Sequence, residues 1–239
     1  MRFAAKPIKL PDAHADLALP LEPNGETSAA VSKVRSSFDW IYTKAVGGAM
    51  GVGSAQQMGE YYLRRNGTLE AKVNALIRWQ NTKAGTAGFV TGLGGIMLMP
   101  LTMPLNLSSV MYLQVRMVAA IGHMGGHDLD EDEIKTLVYL CLCGNAAQDV
   151  VRDYGIRAAK KVSMTAIKTA SPAVIKAINT AVGVRLLSKF GNTGMLGVTK
   201  SVPLLGSVIG AASDAFATNL VGNTARNLFI DGAHRIHTR

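Results

Sequence analysis

The chain has 239 residues and carries 25 lysines and arginines against 16 aspartates and glutamates, a formal charge of +9. Hydrophobic residues make up 48% and charged residues 17%; a chain this long buries a sizeable core without a bilayer, but so few charges leave some apolar surface to meet lipid or a partner. The two cysteines, Cys141 and Cys143, exclude a disulfide framework, because side chains two apart on a helix diverge by about 200°; as small core residues they fit a reducing compartment.

Residues 1–26 read as a flexible N-terminal arm, interrupted at Pro7, Pro11, Pro20 and Pro23 and lacking the apolar run of a secretory signal. From Thr27 the period turns helical, with Val34, Phe38, Ile41, Tyr42 and Ala45 at three- and four-residue spacing. The glycines of 47–53 end that helix. Ser54 can cap a second helix, which stops near Arg64 to Gly67. Thr68 can cap a third, with Glu70 in the first turn where a helix N-terminus favours an anion. The buried stripe of the third is Leu69, Val73, Leu76, Ile77 and either Trp79 or Gln80.

Between Lys83 and Arg116 stand 32 residues without a formal charge. That length can span a bilayer, for which about 20 apolar residues suffice. Pro100 and Pro104 argue otherwise, each removing a helix hydrogen bond near the middle of the run. The expected form is a bent pair of short helices, about 84–99 and 104–122. This apolar hairpin presents Phe89, Ile96, Met97, Leu98, Met99, Pro100, Leu101, Met103 and Pro104, to a membrane interface or to its own neighbours. Its glycines are not a phosphate cradle, since no Gly-Lys-Ser/Thr follows them.

Gly125 and Gly126 break the helix between His123 and His127, which denies that pair a common face for a metal. Asp128, Asp130 and Asp132 begin like a calcium loop, but Glu133 stands where glycine is needed and Tyr139 where a bidentate glutamate is needed. Asp130 reads instead as an N-cap, with Glu133 completing an acidic capping box for a helix over 131–152. Ser171–Pro172 is a helix start that divides 156–182 into two helices, Gly191 and Gly194 mark another break, and a last helix runs from about Pro203 to Ile230. Gly206, Gly210 and Asp214 share one face of it. Asp214 and Arg116, rare charges in two apolar stretches, form a candidate buried ion pair. No segment alternates with the two-residue period of a strand. The expected fold is all-α, a single multi-helix domain over 27–239 built around two Gly/Pro-rich apolar helical segments.

Residues 86–144, with the glycine-rich run into Pro100 and Pro104 and Arg116 in "QVRM", resemble the central block of the EcsC-like bacterial proteins. So does 183–229, with Lys200, Pro203, Gly206, Gly210 and Asp214. The resemblance covers roughly 38–230. It implies a helical protein rich in apolar segments; it implies no catalytic residue, and none is carried over.

Residues 154–200 contain Arg157, Lys160, Lys161, Lys168, Lys176, Arg185, Lys189 and Lys200 and no acid. On a helix Arg157, Lys160, Lys161 and Lys168 share one face, with Ala159, Val162 and Ala166 opposite. A basic amphipathic helix beside an apolar hairpin supplies the two signals that firm membrane attachment needs. The expected function is therefore non-catalytic: peripheral, reversible binding to the inner face of the cytoplasmic membrane, through anionic lipid, with a membrane-protein complex as a further partner. Nucleic acid is disfavoured, because only Phe190 lies among these cations after Tyr154 to stack on bases. No nucleophile elbow or metal cluster is legible, and no cofactor is expected. The alternative is a soluble enzyme or a protein binding an apolar ligand or lipid in an interior pocket.

Overall fold

The computed structural model describes residues 25–49, 52–84, 105–153, 164–196 and 203–230. Among them every regular element is helical, and the sole β feature is an isolated bridge between Ala49 and Val52. The helices are α1 (Gly25–Gly47), α2 (Ala55–Leu63), α3 (Leu69–Ala84), α4 (Leu105–Met124), α5 (Asp132–Leu142), α6 (Ala147–Asp153), α7 (Met164–Lys168), α8 (Pro172–Leu196) and α9 (Pro203–Phe229). The all-α single domain is what the periodicity implied.

Several helix starts are set by local hydrogen bonds. Ser54 and Gln57 form a reciprocal capping box at α2, each side chain binding the other's backbone N–H at 3.0 Å. The Ala71 amide donates to Thr68 Oγ1 at 3.2 Å at the start of α3, and Ser171 with N1 Pro172 opens α8. α4 lies at the centre, in contact with α1, α2, α3, α5 and α9. Nearly every side chain from Met111 to Ile121 is buried, which explains a stretch so poor in charge. On α3 the stripe closes with Gln80, whose amide donates to Met58 Sδ at 2.9 Å; Trp79 is 52% exposed.

Three expectations differ from the structure. The N-cap of α5 is Glu131 without a side-chain cap bond, not Asp130. The Asp128 carboxylate takes the Asp130 amide instead, at 3.0 Å, so the local turn at 128–130 wins over the capping box. The helix expected over 131–152 is broken: Gly144 adopts φ +58 and a short 3-10 turn, Gly144–Ala146, separates α5 from α6. Gly144 follows the C-cap Cys143 in the left-handed conformation that ends helices, and a Cβ on it would also lie 2.9 Å from Leu220 Cδ2 of α9. Conversely, α8 runs through Gly191 and Gly194 to Leu196; glycine in a helix costs only about 1 kcal/mol, and neither turns left-handed there. The arm over 1–24 and the hairpin residues 85–104 lie outside the described residues.

The register of three helices orients the domain. α3 runs antiparallel to α9: Asn81 Nδ2 donates to Asn219 Oδ1 at 3.0 Å, Ile77 packs against Gly222, and Arg226 donates to Asn74 Oδ1 at 2.6 Å. A Cβ on Gly222 would sit 2.9 Å from two Ile77 carbons, so the glycine permits this approach. α4 runs parallel to α9, with Gln114 bound to Thr218 at 3.2 Å and Gly122 against Phe229.

Candidate functional site

The last residue of α3, Ala84, is level with Phe216 by this register, and α9 extends beyond it from Pro203, a distance of about 20 Å at the helical rise. α4 overruns α3 at the same end by about two turns. Residues 105–115 of α4 and 203–213 of α9 have no charge. Both uncharged stretches therefore belong to one end of the bundle. Phe216, at its edge, is 72% exposed. The opposite end carries the α4–α5 loop, where Asp128, Asp130 and Asp132 are exposed and His127 Nε2 lies 3.3 Å from the Phe229 carbonyl oxygen. Along α4 and α9 one end is thus uncharged, and the other carries the acidic α4–α5 loop.

Of the cations expected to form a basic surface, Arg157, Lys160, Lys161 and Lys200 lie outside the described residues, and Lys189 is in α8 with its side chain likewise outside them. Lys168 is exposed and paired with Glu131 at 2.7 Å; Arg185 reaches Asp149 of α6 at 3.6 Å; Lys176 is exposed with no salt bridge among the described residues. The basic segment has no acid of its own, so its partners come from elements distant in sequence. The start of α8 lines a cleft with Asp132 and Glu133, and further along it Arg185 reaches α6.

Arg116 sits on the face of α4 turned away from Gln114 and α9, with a guanidinium nitrogen near Gly53. Its Nε and the Tyr112 hydroxyl have no hydrogen-bond partner among the described residues. Burial lowers the Arg116 pKa from its ordinary value, and Tyr112 acts in the opposite sense. Asp214 stands in α9, and its side chain lies outside the described residues. The two histidines diverge: His123 Nε2 is 3.0 Å from Glu60 Oε1, while His127 binds the Phe229 carbonyl. Among the described residues no group of three or more His, Cys, Asp or Glu is placed to hold a metal, and no helix is long and apolar enough to cross a membrane.

A site invisible in the sequence lies between α1, α5 and α8, a cleft of about 440 Å³. Its apolar lining includes Phe38, Ile175, Val182 and Leu186. On its wall Asp39 Oδ1 accepts from Lys135 Nζ at 2.8 Å and from the Tyr139 hydroxyl at 3.0 Å. Tyr139 is held by edge-on contacts with Phe38 and Tyr42, both with ring centroids 5.8 Å apart, and Lys135 lies over the Tyr42 ring. Burial, then the Asp39 carboxylate, pushes the Tyr139 pKa far up, so its hydroxyl stays a donor. The outer part of the cleft carries Asp132, Glu133 and Lys176, and Arg35 lines it from α1.

The pattern of the EcsC protein family matches residues 28–230. The chain belongs to the EcsC family. No curated protein and no solved structure is significantly similar to it. The match spans α1 to α9, so the cleft and the uncharged end both belong to the EcsC region, and the family description carries no catalytic residue to place in either.

Proposed function

We propose that this EcsC-family protein is a non-catalytic, peripheral binder of anionic membrane surfaces. One observation carries the reading: the shared register of α3, α4 and α9, which brings both uncharged stretches to the same end of the bundle, away from the acidic α4–α5 loop. An anionic surface repels the end bearing Asp128, Asp130 and Asp132, so an orientation that turns the uncharged end towards it is favoured. Basic charge near such a surface contributes about 1 kcal/mol per residue, and shallow insertion of apolar groups adds the second signal. Lys168 is paired with Glu131, beside the acidic loop, and contributes little to this contact. The proposed location is the inner face of the cytoplasmic membrane, where reduced, buried Cys141 and Cys143 are at home; a membrane complex is a further partner there.

The test is flotation of the full chain with liposomes of graded anionic content and salt. Binding is expected to rise with anionic lipid and to weaken as salt shortens the Debye length from about 10 Å at 0.1 M to about 3 Å at 1 M. Binding indifferent to both, or none, overturns the proposal.

A further inference from the structure

The cleft between α1, α5 and α8 has its own ligand chemistry. Asp39 is already matched by Lys135 and Tyr139 on its wall. Arg35, Lys176, Asp132 and Glu133, which also line it, make no salt bridge with any described residue. Two cations and two acids with no ion pair among the described residues thus line one opening. A purely anionic headgroup meets Asp132 and Glu133; a purely cationic one meets Lys176 and Arg35. Each arrangement sets like charges together at short range, which is unfavourable. A headgroup carrying both signs satisfies both sets.

Deeper in, Phe38, Ile175, Val182 and Leu186 offer hydrocarbon surface. The volume, about 440 Å³, is in the lower part of the range for small-ligand sites, about 300–1,000 Å³, and suits one chain rather than two. Asn179 also lines the cleft, and its Oδ1 has no hydrogen-bond partner among the described residues, the kind of buried polar atom that calls for an explanation; a ligand hydroxyl supplies the donor once the side chain turns outward. We propose that this cleft binds a single-chain zwitterionic amphiphile, its ammonium at Asp132 and Glu133, its phosphate at Lys176, and its hydrocarbon over Phe38, Ile175 and Val182.

The inference is independent of membrane docking, because its test uses no vesicles. The full chain is titrated calorimetrically with a lysophosphatidylethanolamine below its micelle concentration, and in parallel with a lysophosphatidic acid of the same chain length and an alkyltrimethylammonium. The zwitterion is expected to bind at least tenfold more tightly than either singly charged probe. Lys176→Glu, at an exposed position, is expected to weaken the zwitterion at least fivefold with the melting temperature unchanged. Ile175→Trp, at a half-buried wall position, is expected to block the cleft and weaken all three probes. No saturable binding of the zwitterion, equal affinity for the three probes, or zwitterion binding unaffected by both substitutions overturns the proposal.

Discussion

Removal of the Asp39 carboxylate is the sharpest probe of the cleft wall. One oxygen of this residue takes two donors, the Tyr139 hydroxyl and the Lys135 ammonium. The donors differ in surroundings: Tyr139 is 6% exposed, whereas the Lys135 and Asp39 side chains are 30% and 40% exposed. A hydrogen bond to a charged group contributes about 1.5–3 kcal/mol, and water at the half-exposed carboxylate puts this one near the low end. An exposed ion pair contributes about 0–1 kcal/mol. Tyr139→Phe is therefore expected to destabilise by about 1.5 kcal/mol, Lys135→Met by about 0.5 kcal/mol, and Asp39→Ala, which removes both bonds and leaves a buried hydroxyl unpaired, by about 2–2.5 kcal/mol. Urea unfolding of single and double variants gives the couplings. Asp39–Tyr139 should couple by about 1 kcal/mol or more and Asp39–Lys135 by about half that or less. A Lys135 coupling that exceeds the Tyr139 coupling refutes the reasoning. Alkaline pH supplies a second check. Burial and the Asp39 carboxylate hold the Tyr139 proton well above the ordinary tyrosine range in the folded state, so the stabilisation is complete below about pH 10 and falls as pH rises beyond it; Tyr139→Phe should shallow that fall.

Three further outcomes follow from single positions. Gly144→Ala places a Cβ 2.9 Å from Leu220 Cδ2 at φ +58, and is expected to destabilise by about 2 kcal/mol, read as a fall of about 4–8 °C in melting temperature; an unchanged melting temperature contradicts the account of the α5–α6 break. Burial lowers the His127 pKa below 6.5, with the Phe229 carbonyl acting in the opposite sense. The unfolded chain then binds the proton more readily, so stability should decline as pH drops below 6.5, and denaturation curves of His127→Gln should lack that component. Cys141 and Cys143 are buried, reduced cysteines, and burial raises the Cys141 pKa. Thiol reagents should modify them only at the rate of unfolding; fast labelling of the native protein would show the α5 core to be open.

What could be read directly from the chain was what depends on neighbours within a turn or two. Ser54, Thr68 and Ser171–Pro172 announce helix starts because their hydrogen-bond partners are three residues away. Pro203 marks the start of α9 for the same local reason. The absence of two-residue alternation excluded sheets, and the markers around Pro100, Arg116 and the spaced glycines before Asp214 pointed to the EcsC family that the match over 28–230 bears out.

Tertiary contacts decided the rest. Whether Trp79 or Gln80 enters the core depends on Met58, 22 residues from Gln80. The packing of Leu220 against Gly144, and the pairing of Lys168 and Arg185 with Glu131 and Asp149, join residues that are not neighbours in sequence. The cleft needs three helices to be brought together, and no single segment bears its outline. Amino-acid order by itself determined the helices and the uncharged stretches within α4 and α9. Packing alone determined that those stretches share one end of the bundle, because the relative register of α3, α4 and α9 is set by side chains such as Ile77, Gln114 and Asn219 meeting across more than a hundred residues.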